Sequence, residues 1–163
     1  MREEPPESMS LLEKLSKVIT TKRTSESYET PVNEREDPVD IEHEFEELMA
    51  QVNDVLQTND VHFEDTLVKE NLDEVLLVLI SLHGETHGKE LLTDLNRLFE
   101  TELSPGTVYP RLHALEEDDV LSMRSEIRTK EYAVANEEQV HSTVEETMVQ
   151  HLAFGLLLYA FLS

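Results

Sequence analysis

From Leu72 onward the chain carries three apolar segments of helical period followed by two short runs of alternating character, and this order constrains the fold more than any other feature. Leu72 to Leu82 is a dense apolar helix closed by His83-Gly84. Gly88 to Phe99 is a second helix with Leu91, Leu92, Leu95 and Leu98 inward, and Ser104 to Glu117 is a third. Val120 to Arg124 and Lys130 to Val134 alternate and are joined by a short turn, which predicts a two-stranded hairpin. Glu137 to Leu162 then reads as one long helix that becomes apolar all round towards its end. Three short helices and a hairpin are the winged version of the helix-turn-helix, in which the third helix enters the major groove and the hairpin flanks it. The expected class is all-α with a small β-hairpin: a winged helix-turn-helix with N-terminal helices and a long C-terminal helix.

The third helix has two possible starts. Ser104 can cap it with Pro105 at its first position, or Thr107 can cap it with Pro110 still in the first turn. In the first case Pro110 sits inside the helix at a typical cost of about 3 kcal/mol, which Gly106 opposite would reduce. Val108, Leu112 and Leu115 share one face and lock into the core. Thr107 and Arg111, four apart, share another and can reach base edges or phosphates.

The residues just named carry a family resemblance. The run Val75-Leu-Leu-Val-Leu-Ile-Ser-Leu, then Thr86-His87-Gly88-Lys89-Glu90-Leu91, then Leu103-Ser104-Pro105-Gly106-Thr107-Val108-Tyr109-Pro110-Arg111-Leu112 and Leu115-Glu116 resembles the PadR family of transcriptional regulators. The resemblance covers about residues 72 to 135, with the last helix in the position of that family's dimerisation helix. It implies a homodimer on double-stranded DNA, occupying a pseudo-palindromic operator with its two third helices about one DNA turn apart, usually as a repressor. The DNA-binding set it implies is Ser104, Thr107, Tyr109 and Arg111 of the third helix with Arg124, Arg128 and Lys130 of the hairpin; the alternative for the hairpin bases is ordinary solvated charge. Tyr132 matches the family's tyrosine in the returning strand. The chain departs from the pattern where the wing lacks a glycine near its tip and where Ala135-Asn136-Glu137 replaces the usual Thr and Gly.

The long helix places Val140, Val144, Met148, Leu152, Leu156 and Tyr159 along an apolar stripe expected to meet a two-fold mate, or else the N-terminal helices of the same chain. Its run Leu152 to Leu162 is too apolar for a solvated helix and, at 11 residues, short of the roughly 20 that span a bilayer. No membrane insertion is expected, and a cytoplasmic location is.

Upstream the organisation is looser, and four segments are expected: 1–36, 37–70, 71–135 and 136–163. Leu11, Leu12, Leu15, Val18 and Ile19 form the stripe of a short amphipathic helix with Lys14, Lys17, Lys22 and Arg23 around it. Such a helix can lie on an anionic surface, dock a protein partner or pack on its own protein. Residues 20–37 read as a linker. Asp37 and Pro38 then start a helix whose Ile41, Phe45, Leu48, Val52 and Val55 recur at spacings of 4, 3, 4 and 3, too briefly to decide between a coiled coil and packing on the next domain. A small-molecule effector or protein partner acting through this N-terminal region is a further expectation.

Charge qualifies the DNA reading. The chain holds 36 acids against 13 bases, a net charge of -23, and residues 72–135 alone hold 13 acids against 6 bases. Phosphate neutralisation normally supplies most non-specific affinity, so binding is expected to be weak in dilute buffer. So many carboxylates suit a multimolar-salt cytoplasm, where the Debye length shrinks to about 3 Å. The other account is an acidic adaptor that keeps the winged-helix fold without binding DNA. Absence of cysteine excludes disulfides, thiol nucleophiles and thiolate metal sites. No nucleophile elbow, phosphate loop or dinucleotide fingerprint occurs, so neither enzyme nor cofactor is expected. His83 and His87 suit the turn better than a metal, and Glu116-Glu117-Asp118-Asp119 suits a solvated helix end better than a cation site.

Overall fold

The computed structural model describes residues 40–162. The basic helix read over Leu11 to Ile19 and the linker after it lie outside the described residues. The chain divides into two compact units, one up to His62 and one from Phe63 onward.

The described part of the first unit is α1, Ile41–Leu56. Its N-cap is Asp40, whose carboxylate accepts from the His43 amide at 3.3 Å, so the helix begins three residues later than Asp37 and Pro38 suggest. A side-chain acceptor three residues before an orphan N–H is the physical requirement of a cap, and Asp40 meets it. Along the expected seam Ile41 and Val55 are buried, Phe45 and Val52 half-buried and Leu48 exposed. Gln57 ends the helix in the left-handed region with φ 57°.

The second unit opens with a turn of helix absent from the expectation, α2, Asp65–Glu70, which Asn71 separates from α3, Leu72–His83. Two contacts bind this stretch to the end of α4 (Gly88–Phe99): the Phe63 and Phe99 rings lie 6.0 Å apart, and the fully buried Thr101 hydroxyl donates to Asp65 at 2.9 Å. Residues 63–70 therefore belong with the winged helix rather than with the helix before them.

After α4 come α5 (Pro105–Glu117), β2 (Leu121–Ser125), β3 (Lys130–Val134) and α6 (Glu137–Leu162). Strand β3 stands where alternation places it and β2 begins one residue later than expected, at Leu121, but the sheet has three strands. Glu85–His87, between α3 and α4, forms β1 and pairs antiparallel with β3, giving the order β1-β3-β2. Thr86, opposite Tyr132, is buried and donates its hydroxyl to Glu90 at 2.8 Å, which satisfies a polar group the core would otherwise strand.

The core is aliphatic. Leu76, Leu77, Leu79 and Ile80 of α3, Leu91 and Leu95 of α4 and Val108 and Leu112 of α5 have no exposed surface, and Leu121 and Tyr132 close it from the sheet. One polar cluster borders the core: His83 Nε2 lies 2.6 Å from the buried Asp94 carboxylate, which Arg97 approaches from outside at 3.5 Å. None of the described helices is long and apolar enough to cross a membrane.

Candidate nucleic-acid interface

Helix α5 resolves the two possible starts. Ser104 precedes it with extended backbone, Pro105 takes the first position, and the amides of Thr107 and Val108 both reach the Ser104 carbonyl at 3.0 and 3.2 Å. Pro110 consequently lies inside the helix, where its ring faces the Gly106 carbonyl and removes one hydrogen bond. Val108, Leu112 and Leu115 are buried as their spacing requires. The other side turns outward: Ser104 and Thr107 are exposed with their hydroxyls 3.1 Å apart, and Arg111 is about half exposed.

Tyr109 is held from beneath by the start of α4. A methyl group added at Gly88 would overlap Tyr109 Cε1, so only glycine lets the ring lie there with its edge in solvent. His87 caps α4, its Nδ1 accepting from the Glu90 amide at 3.1 Å. The Thr-His-Gly-Lys-Glu run thus builds a helix start and a seat for Tyr109, and both histidines considered for metal are occupied, His83 by Asp94 and His87 by the cap. Asp118 and Asp119, with φ 59° at Asp119, form the turn that ends α5.

Two of the expected DNA-contacting bases are already engaged. Arg111 grips Asp73 of α3 through two parallel bonds, Nε donating to Oδ1 at 2.7 Å and a terminal nitrogen to Oδ2. Asp73 raises the arginine's pKa further, chiefly through that hydrogen bond. Arg124 stands among three acids, 2.9 Å from Glu85 of β1, 3.1 Å from Glu131 opposite it on β3 and 3.2 Å from Glu126 in the turn. Crowding of those acids raises the Glu85 pKa, first through its hydrogen bond with Glu131. Arg128 and Lys130, by contrast, are exposed and make no ion pair among the described residues. Between them and Arg124 the turn closes with Glu126 N–H on the Thr129 carbonyl at 2.8 Å and lifts Ile127 clear of the protein, fully exposed at its apex. Sequence reasoning missed Ile127, the four acids that hold the arginines and the third strand that supplies one of them. Only the alternation of the hairpin, which sets Arg124 across from Glu131, hinted at any of these pairs.

Against proteins already described, residues 75–138 match the family model of the transcriptional regulator PadR-like family. Residues 75–138 are a PadR-like domain. Over 108 residues the chain is 41% identical to the transcriptional activator GvpE1 of Halobacterium salinarum, covering 66% of this chain and 54% of that one. Over 96 residues it is 43% identical to the transcriptional activator GvpE of Haloferax mediterranei, covering 59% and 50%. The chain therefore spans about half the length of these curated relatives. Both come from haloarchaea, in keeping with its acidity. Among solved structures, a PadR-like transcription factor from Bacteroides fragilis aligns over 59% of this chain and 94% of its own at 19% identity and a TM-score of 0.48.

Beyond the PadR-like domain, α6 departs from its expected single stripe. It is half-buried at Val140, Thr143, Val144 and Thr147, the side that lies against α3, where the Thr147 hydroxyl donates to Glu74 at 2.9 Å. Residues spaced by four drift about 40° per step on a helix of 3.6 residues per turn. Met148, Leu152 and Leu156 have consequently rotated off that side and are exposed, with Tyr159 beside them. Val140 and Val144 serve the chain's own packing, and the outward stripe begins at Met148.

Proposed function

We propose that the protein is a DNA-binding transcriptional regulator that works as a homodimer, with α5 in the major groove, the β2–β3 hairpin beside it and the outward stripe of α6 against its mate. The observation that carries this reading is the seating of α5: Val108, Leu112 and Leu115 lock it to the core while Ser104, Thr107 and Arg111 stand on its outer side. Arg128 and Lys130, without an ion pair among the described residues, supply exposed cations on the neighbouring hairpin, suited to backbone phosphate. The family resemblance favours repression of a pseudo-palindromic operator. The curated relatives bear the name activator, and activation is the sign we propose.

Genome-wide occupancy in cells tests this, with Thr107→Ala, Arg111→Ala as control. Sharp promoter-proximal peaks sharing a two-fold motif and vanishing in the control are the expected result. Reporter output from a peak-bearing promoter then gives the sign, falling on deletion of the protein if it activates. A second reading, an acidic adaptor without DNA, draws on the engagement of Arg111 and Arg124 by the chain's own carboxylates. It predicts flat occupancy with the folded protein recovered in complex with another protein.

A further inference from the structure

The inference rests on α5 and the hairpin facing DNA, and deepens that reading. A cation on such a surface ordinarily waits in solvent and displaces counterions when it meets phosphate. Arg111 and Arg124 wait in a different state. Asp73 holds Arg111 in the fork geometry by which a guanidinium also holds phosphate. Arg124 is held from β1, β3 and the turn by Glu85, Glu131 and Glu126, all within 3.2 Å. The pairing is selective, because Arg128 and Lys130 on the same hairpin have no such partner among the described residues.

We propose that Asp73 and Glu131 determine specificity: they stand in for phosphate on Arg111 and Arg124, so that DNA is held only where contacts to its bases offset their displacement. The charge balance follows directly. When an arginine leaves a carboxylate for a phosphate, the phosphate sheds its condensed cation and the freed carboxylate regains part of a diffuse cation atmosphere. The exchange releases less than an unmasked base does, which contributes about −0.9 to the slope of log K against log salt. Non-specific binding lives on that release and is suppressed; base-edge contacts do not depend on it and survive.

Fluorescence anisotropy of the full chain, across one decade of KCl, separates the outcomes. The probes are a duplex from the strongest occupancy peak and a scrambled duplex of the same length. Asp73→Asn and Glu131→Gln are compared with Glu138→Gln, which removes the same charge from an exposed site on α6. Asp73→Asn is expected to steepen the scrambled-duplex slope by up to about one unit, strengthening that binding by up to about tenfold at the low-salt end, and Glu131→Gln, which leaves Glu85 and Glu126 on Arg124, steepens it by less. Peak-duplex affinity rises less, so discrimination falls, and Glu138→Gln matches the unsubstituted protein. Adding Arg111→Ala to Asp73→Asn returns the slope to its starting value. Circular dichroism at each salt verifies the fold. Equal effects from all three single variants would mean that overall charge governs binding and would overturn the inference, as would unchanged slopes in Asp73→Asn and Glu131→Gln. If no folded variant binds either duplex at any salt, the DNA reading itself fails, and this inference with it.

Discussion

Helices α5 and α6 are both amphipathic on paper and end in opposite conditions. In α5 three residues, Val108, Leu112 and Leu115, spaced by four and three, suffice to seat the helix, and all three are buried. In α6 the apolar content is far higher and nothing is buried; Phe161 remains 86% exposed. Spacing explains the contrast. A four-three alternation keeps side chains on one side, whereas repeated steps of four wind them around the helix, and the run after Met148 is apolar in every direction. Hydrophobicity selects residues for burial, but only a neighbouring element supplies it. For α5 that element lies in its own chain, and for the end of α6 the proposed mate supplies it.

The contrast can be broken at its strongest point by urea titration of truncated leucines. Leu77→Ala, in α3 beneath α5, is expected to cost about 2–5 kcal/mol, while Leu157→Ala near the end of α6 shifts the stability of the dilute, unassociated chain by no more than about 0.5 kcal/mol. Comparable losses would show that α6 is covered within the chain. Light scattering sharpens the point: Leu152→Ala with Leu156→Ala is expected to turn a dimer into a monomer and to make its melting temperature independent of protein concentration. An unchanged mass would move the interface elsewhere.

Two glycines give a smaller, paired effect. Gly88→Ala drives a methyl into the Tyr109 ring and is expected to cost about 1–3 kcal/mol, with loss of operator affinity as the ring is displaced. Gly155→Ala on α6 meets nothing within 4 Å and is expected to add about 1 kcal/mol of helix stability in the unassociated chain. A loss there at high concentration would place the mate's backbone against Gly155. The smallest effect concerns pH. Burial, then the neighbouring Tyr109 and Glu116, raises the Tyr132 pKa above its ordinary 10.0. The folded state favours the neutral phenol, so this contribution is complete below pH 10 and is lost as pH rises through the higher folded value. An absorbance titration is expected to show one late tyrosine that Tyr132→Phe abolishes.

Much of this architecture is legible in the residues. The span of α4, the end of α5, β3 and α6 follow from periodicity and from the Gly and Pro that punctuate it. The β1 strand is not, since three residues are too few to show a period and its partner is far along the chain. Nor is the cap of α1, which the sequence suggests at Asp37 and which the structure places at Asp40. Of the expected interface, the positions on α5 and the hairpin are legible, but the condition of the arginines is not. Asp73 and Arg111 are 38 positions apart, and no spacing rule joins them.

By itself the sequence determines where the long helices of the second unit run, which face of α5 is inward and that the chain is acidic, because helical period and charge are local properties or simple sums. Tertiary structure alone decides which cations are already paired. Arg111 and Arg124 hold carboxylates while Arg128 and Lys130 hold none among the described residues, since ion pairing depends on a few ångströms of separation between elements that chain order does not encode.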